Sequence, residues 1–297
     1  MINNNNFKIH ALMTIKNEAD IVIETLNSAS KWADNIFILD NMSNDKTWEL
    51  ISEYAKTNEK VKLWGRYGGK FYLALRQVIF KDFKKIAKSG DWWCRLDGDE
   101  FYIDDPRKFL SELEESVDHV YNASFQYYYT NDDYLNEIST EVEISVTERL
   151  RWYKCNHSEI RFVRHFDNIC WPQNTEWPCN IINPSEKRIR LKHYQYRDVK
   201  QIIARLSARN APDSGDSFTH EKVPVKEWYL KRNFAIPEDE KLAQLRIVDK
   251  KDLLNDESYI YSDLELPPII KNTYKRKLKY AVVVFYMKYL NNFFFKI

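Results

Sequence analysis

Over the first hundred residues, apolar residues fall into short continuous runs separated by segments with helical spacing. Phe7 to Thr14 (FKIHALMT) is a β-type run, Lys16-Asn17-Glu18 breaks it, and Ala19 to Trp32 places Ile21, Leu26, Ala29 and Trp32 at helical spacing. Asn35 to Leu39 is a second apolar strand that closes at Asp40. A polar turn follows, and Ser43 or Asp45 can cap a helix running through Trp48, Leu50 and Ile51. Val61 to Trp64 reads as a third strand. After Gly68-Gly69 the pattern predicts a helix from about Lys70 to Lys88, and Trp92 to Leu96 is a fourth strand that delivers Asp97. Strands alternating with helices over short connections predict right-handed βαβ units and a parallel sheet, which makes residues 7–100 a nucleotide-binding type of α/β half.

The pattern loosens after that point. Pro106 opens a helix through Phe109, Leu110 and Leu113, Val117 to Tyr129 is β-like, and residues 141–166 hold alternating strands that include Ile160 to Phe166. Ile189 to Lys192 is a further strand before a helix over 198–211 that Asp198 can cap. Residues 212–220 have loop composition, and 222–262 read as helices and turns. The expected organisation is one α/β domain over 1–220, with 101–220 as its second half, and a helical C-terminal extension over 221–297.

Charge separates the C-terminal end from the rest. The 297-residue chain carries a net charge of +1, which argues against a nucleic-acid binder. Residues 271–297 hold seven Lys/Arg (Lys271, Lys275, Arg276, Lys277, Lys279, Lys288 and Lys296) and no acidic residue, leaving 38 basic against 44 acidic residues elsewhere. These lysines interleave with Tyr280 to Met287 and Phe293 to Phe295, the pattern of an interfacial helix on an anionic membrane face. No window approaches the roughly 18 apolar residues of a spanning helix. The polar start Met1 to Asn6 lacks a leader pattern, and Cys94, Cys155, Cys170 and Cys179 have no disulfide or zinc spacing. The expected location is cytoplasmic, with peripheral contact at the inner face of the plasma membrane.

The chemistry concentrates in Asp97-Gly98-Asp99-Glu100, three carboxylates at the end of a buried strand. Converging carboxylates repel unless a cation joins them, and Mg²⁺ or Mn²⁺ takes carboxylates together with substrate phosphates. Gly98 is expected to supply the backbone freedom that turns Asp97 and Asp99 toward one point. Asp40, Asp97 and the Thr14–Glu18 segment all stand at strand C-termini, the rim where open α/β sheets bind ligands. Neither a Gly-x-Gly-x-x-Gly nor a Gly-x-x-x-x-Gly-Lys-Ser/Thr loop is present, and Phe101 stands where an Asp-x-Asp-x-Thr phosphatase needs Thr. A diphosphate here would need a metal to neutralise it.

Three segments, Ala11-Leu12-Met13-Thr14-Ile15-Lys16-Asn17-Glu18, Ile38-Leu39-Asp40-Asn41-Met42-Ser43-Asn44-Asp45-Lys46-Thr47 and Arg95-Leu96-Asp97-Gly98-Asp99-Glu100-Phe101, together resemble the family 2 glycosyltransferases of the GT-A fold, in the subset that carries KNE, DNxSxDxT and DxDEF in this order. Leu191 to Arg197 (LKHYQYR) resembles the His-Tyr-x-x-Arg segment of such bacterial enzymes. The resemblance implies an α/β GT-A fold with a mixed sheet, and inverting transfer from a nucleotide-diphosphate sugar to a glycan or lipid-linked acceptor, with Mn²⁺ or Mg²⁺ on the Asp-x-Asp. It implies that Asp40 reads the base through the uracil N3–H, that Thr14, Asn17 and Glu18 line the nucleoside floor, and that Asp45 lies on the ribose side. Asp97 would contact ribose or metal, Asp99 the metal, Glu100 the metal's surroundings or the acceptor, and His193 would return as a third protein ligand. The 101–220 half becomes the acceptor half. Lys70 and Arg76 offer positive charge near the diphosphate, and Arg197 and Arg205 are either diphosphate partners or helix-surface charges.

Inversion needs a general base opposite the leaving group. Glu176, in the aromatic and Pro-flanked run Asn174-Thr175-Glu176-Trp177-Pro178, is preferred because partial burial there would raise its pKa; Asp132, Asp133 and Glu159 are the alternatives. Trp152, Tyr153, Trp171, Trp177 and Tyr127 to Tyr129 are either sugar platforms or core. A nucleotidyltransferase acting on a sugar phosphate shares the α/β half and the carboxylates but lacks its triphosphate loop here. A non-catalytic carbohydrate-binding scaffold would not need the intact Asp97/Asp99 pair.

Overall fold

The four apolar runs of the first hundred residues become four parallel strands. Strand β1 (Ile9–Ile15) lies between β2 (Asn35–Asp40) and β4 (Trp92–Leu96), with β3 (Val61–Arg66) outside β2. Every residue of β1 and β4 is buried, as expected of parallel strands covered on both faces. One face carries Ile9, Ala11, Met13, Ile36 and Ile38 against helices α1 (Val22–Ala29) and α2 (Thr47–Thr57) through Val22, Leu26 and Ile51. The other carries Leu12, Phe37, Leu39 and Trp93 against helix α3 (Leu75–Phe83) through Leu75, Ile79 and Phe80. The computed structural model describes residues 6–130, 133, 144–211, 253–255, 261–262, 266–269, 278 and 281–282.

Helix α3 is shorter than the pattern predicts. It opens at Leu75 rather than Lys70 and gives way to a 3₁₀ turn at Lys84–Ile86. Phe71 and Tyr72 pack on the same apolar cluster from a non-helical approach, and Leu73 fits the helical spacing from within that approach. Gly90 then takes φ +98, a left-handed angle that favours glycine, in the turn that starts β4.

Past Leu96 the sheet becomes mixed. Strand β5 (Glu100–Tyr102) is followed by helix α4 (Pro106–Ser111), strand β6 (His119–Tyr128), the single turn α5 (Val146–Arg149), strands β7 (Trp152–His157), β8 (Ile160–Arg164) and β9 (Ile189–His193), helix α6 (Val199–Asn210) and the short β10 (Leu254–Asn255). Asp105 caps α4 and Asp198 caps α6 through backbone amides two or three residues on. Strand β8 pairs antiparallel with β4 and extends the first sheet to the start of β6, while the rest of β6, flanked by β7 and β10 on one side and by β9 on the other, belongs to the second. Strand β5 pairs instead with β9, which runs parallel to the other edge of β6. The chain therefore leaves one sheet at Leu96 and enters a second at Glu100, with Asp97-Gly98-Asp99 as the step between them.

Most of the aromatic residues beyond Asp99 are core. Tyr127, Tyr129 and Tyr153 are fully buried, and Tyr128 and Trp171 nearly so; Tyr127 stacks on Tyr194 at 4.5 Å between centroids. Only Trp152 and Trp177 of that set keep partial exposure. The loop predicted at 212–220 lies outside the described residues. So do the C-terminal extension and basic tail apart from the few positions given above, of which Leu278 and Val282 are exposed. Among the described residues no helix is long and apolar enough to cross a membrane.

Candidate active site

The turns after β1 and β2 are laced together by side chains. Asn17 adopts a left-handed backbone (φ 57); its N–H donates to Ser43 Oγ at 2.9 Å and its side-chain oxygen accepts from the Asn44 N–H at 2.9 Å. The Glu18 N–H donates to Thr47 Oγ1 at 2.8 Å. Asp45 accepts from the Ala19 N–H at 3.2 Å and from the Thr47 N–H at 2.9 Å, so it both opens α2 and ties the loops. Asp40 is fully buried and accepts from the Ser43 amide, from Ser43 Oγ and, at 2.9 Å, from Arg66 Nε. Reading a base through Asp40 therefore requires Ser43 or Arg66 to give way. Thr14, also predicted to line this floor, is buried, and its Oγ1 has no hydrogen-bond partner among the described residues. Two residues after Asp40, Met42 is exposed and left-handed (φ 52), an uncommon conformation for such a residue and one that tends to occur at functional sites.

At the end of β4, Gly98 does not take the left-handed backbone that the sequence reading expected of it. Its role is space. A Cβ there would stand 3.1 Å from both Glu18 Cγ and Ile15 Cγ2, while the Gly98 carbonyl accepts from Thr25 Oγ1 at 2.7 Å. Glycine thus lets the Asp-x-Asp turn press against the first loop. Gly98→Ala is expected to cost about 1 kcal/mol in urea unfolding by overpacking and to raise the donor KM; unchanged values of both would show that the loop yields freely.

The carboxylates of this turn divide between two sets of cations. Asp97 Oδ1 pairs with Arg76 Nη2, and its Oδ2 lies 3.4 Å from Arg161 Nη1 and 4.0 Å from Arg95 Nη2. Burial would lift the Asp97 carboxyl, but Arg76, Arg95, Arg161 and His193 overcome it and hold it well below the ordinary range. Asp99 Oδ1 lies 3.2 Å from His193 Nε2, and its Oδ2 lies 3.4 Å from Arg197 Nη1. Burial pushes Asp99 up too, and His193 followed by Arg197 brings it down. Glu100 pairs with Arg161 Nη2, yet burial lifts its carboxyl to about 7. His193 is raised to about 9: desolvation opposes a charge on it, but Asp99, by field and hydrogen bond, with Glu100 and Asp97, prevails.

One group of potential ligand atoms draws together among the described residues: Asp97, Glu100 and His193 offer atoms all within 4.8 Å of one another. His193 Nδ1 is buried without a hydrogen-bond partner, while Nε2 is spent on Asp99. A ring nitrogen left open and aimed among carboxylates, with the other fixed by a carboxylate, is the arrangement of a metal-bound histidine. The residues fit a divalent cation. Asp99, expected from the sequence to be a ligand, here faces His193 and Arg197, while Glu100 is the carboxylate that joins Asp97 and His193 in the group of converging atoms.

Arg197 is neither a helix-surface charge nor turned toward open solvent. It is fully buried ahead of α6, forks onto Asp20 at 2.6 and 2.9 Å, and lies 2.7 Å from Glu18 Oε2. Burial is the main reason that Glu18 is raised to about 8, with Arg197 opposing it. Arg205 instead lies over the Tyr196 ring at 5.4 Å. Glu176 is exposed and lacks the partial burial expected of it. Its loop is held to α3 by Gln77 Nε2 donating to the Trp171 carbonyl at 3.2 Å. Of the alternative bases, Asp133 accepts from Thr130 N and Oγ1, both at 2.6 Å, Glu159 pairs with Arg95 and Arg161, and Asp132 lies outside the described residues. Arg95 and Arg161 were not anticipated as site residues: each sits in an apolar strand run where its partners are distant in sequence.

A family model described as glycosyl transferase family 2 matches residues 11–171, more than half of the chain. The chain belongs to this family. The α/β sheet described above is accordingly the GT-A fold of a family 2 glycosyltransferase. A curated relative from Rickettsia bellii, described as an uncharacterized glycosyltransferase, is 28% identical over 232 residues, which span 73% of this chain and 70% of the relative. Among solved structures, the mannosyltransferase PcManGT of Pyrobaculum calidifontis, in complex with GDP-Man and Mn²⁺, overlaps at a TM-score of 0.43 with 12% identity over 76% of this chain and 71% of that one. TarS 1–349 of S. aureus overlaps at 0.37 with 13% identity, covering 69% of this chain and 66% of its own. Overlaps this loose carry nothing about the substrates of the family 2 glycosyltransferase described here.

Proposed function

We propose that this family 2 glycosyltransferase is an inverting, metal-assisted enzyme that transfers a sugar from a nucleotide-diphosphate donor, UDP-linked in the first instance, to a glycan or lipid-linked acceptor in cell-surface polysaccharide synthesis. The observation that carries the reading is the convergence of Asp97, Glu100 and His193 at the strand rim, with His193 Nδ1 open among them. These residues would hold Mn²⁺ or Mg²⁺, which when bound neutralises charge on the leaving diphosphate. Thr14 offers the nucleoside a buried hydroxyl that lacks a partner among the described residues, and the Asn17–Ser43 and Glu18–Thr47 bonds fix the loop beneath it. Arg76 lies buried beside Asp97 with Nε and Nη1 unsatisfied, ready to take a phosphate oxygen. Asp99 orients His193 through Nε2 and is itself held by Arg197.

Glu176 is the proposed base that removes the acceptor hydroxyl proton. It is exposed on a loop tied to α3, and its competitors Asp133 and Glu159 are engaged by Thr130 and by two arginines. The basic, aromatic tail over 271–297 is proposed to rest on the anionic inner face of the plasma membrane, where a lipid-linked acceptor would lie.

The test is incubation of the purified protein with Mn²⁺ and a panel of nucleotide sugars. Slow release of the nucleoside diphosphate from one donor is expected, and Glu176→Gln should keep donor binding while losing transfer. Release of pyrophosphate from a nucleoside triphosphate and a sugar phosphate would replace the reading with nucleotidyl transfer, and no reaction with either would leave a binding scaffold.

A further inference from the structure

Three guanidiniums meet at Asp97, and they are not equivalent. Arg161 is anchored by Glu100 and, at 2.8 Å, by Glu159; Arg95 is anchored by Glu159 at 2.7 Å. The carboxylate pairing with Arg76 is Asp97, and its buried Nε and Nη1 have no hydrogen-bond partner among the described residues. Asp97 is also the most accessible acid of the turn: its side chain is 22% exposed, against 4% for Asp99 and none for Glu100. The carboxylate that an incoming cation reaches first is therefore the one that Arg76 occupies.

We propose that Arg76 competes with the divalent cation for Asp97 and is released only when a diphosphate arrives to take its charge, so that metal and nucleotide enter the site together. The inference rests on the donor-site reading above and adds an order to it. A cation that displaced Arg76 with no anion present would leave a buried guanidinium unpaired beside a dication, a costly arrangement in a site already holding Arg95 and Arg161. A diphosphate removes that cost, because its oxygens can take Nη2 together with the Nε and Nη1 that Asp97 leaves unsatisfied. Arg76 thus exchanges one anion for another, and the two ligands are thermodynamically coupled.

Titration of Mn²⁺ alone, and of Mn²⁺ with UDP or with GDP, reads the coupling without turnover, with free Mn²⁺ followed by electron paramagnetic resonance. The wild-type protein is expected to bind Mn²⁺ weakly alone and on the order of tenfold or more tightly with a nucleoside diphosphate. In Arg76→Gln, Mn²⁺ alone should bind on the order of tenfold more tightly than in the wild type, and the gain from nucleotide should shrink. The two effects have opposite signs, which loss of a merely structural residue does not produce. Should Arg76→Gln fail the circular-dichroism check for folding, Arg76→Met, which fills similar space without the charge, should still bind Mn²⁺ alone more tightly than the wild type. An unchanged affinity for Mn²⁺ alone in the folded variant overturns this inference and leaves the donor site standing. A wild-type protein that takes up no Mn²⁺ in the presence of either nucleotide overturns both.

Discussion

Asp97→Asn is expected to remove transfer, with turnover at saturating donor and Mn²⁺ falling on the order of a thousandfold. Asparagine keeps the shape of the side chain and one carbonyl oxygen that can still accept from Arg76, so the turn stays in place. What it loses is the charge, at the accessible member of the Asp97, Glu100 and His193 group. Stability should fall as well, because Arg76 is buried and loses the carboxylate it pairs with, but the drop is limited by the Glu159 that Arg95 and Arg161 keep as partner. The decisive comparison sets turnover against the thermal midpoint of the same preparation. Turnover within a few-fold of wild type would remove Asp97 from the cation site.

Arg161→Met should show the reverse pattern, failing in stability first. Arg161 has no exposed surface, and its guanidinium serves Glu100, Glu159 and Asp97 from the middle of β8. Replacing such a buried ion-pair centre with an apolar side chain leaves its partners uncompensated, a loss of about 3–5 kcal/mol that urea unfolding would register. Glu100, already raised to about 7 by burial, is the partner best able to escape by taking up a proton. Adding Glu100→Gln to Arg161→Met should therefore restore part of the loss, because one buried charge is removed with the other. A single variant within about 0.5 kcal/mol of wild type would mean that the cluster is wetter than its burial implies.

The sequence exposes one of these two kinds of residue and hides the other. Asp40, Asp45 and Asp97 are legible because each closes or follows an apolar run, and a run bounded by an acidic turn predicts both a strand and its rim. The strands β1 to β4 keep their predicted register of elements for the same reason. Arg161 lies inside the run Ile160 to Phe166, where period-two alternation cannot say that a charge is buried, and its partner Glu100 is 61 positions away. Arg95 and Glu159 share that difficulty across 64 positions. Arg197 was visible as part of LKHYQYR, but its attachment to Asp20 and Glu18 depends on how β9 returns to the first loop. Helix α3 is shorter than the predicted one because Leu73 and Ile86 fit its spacing from a preceding turn and a following 3₁₀ turn. Spacing reports which residues face the core and leaves open the backbone that carries them.

The step from β4 to β5 is a joint between two boards. Asp97 hangs from the end of the main sheet, whereas Glu100 and His193 are opposed on β5 and β9, directly paired across the smaller one. Glu100 and His193 therefore travel as a unit, and their distance to Asp97 is the opening of the joint. The two sheets also share β6, whose first residues pair with β8 and whose later residues pair with β9. Any change in how β9 lies along β6 would thus be felt as a change in the spacing of Glu100 and His193 from Asp97, the place where the ligand atoms converge.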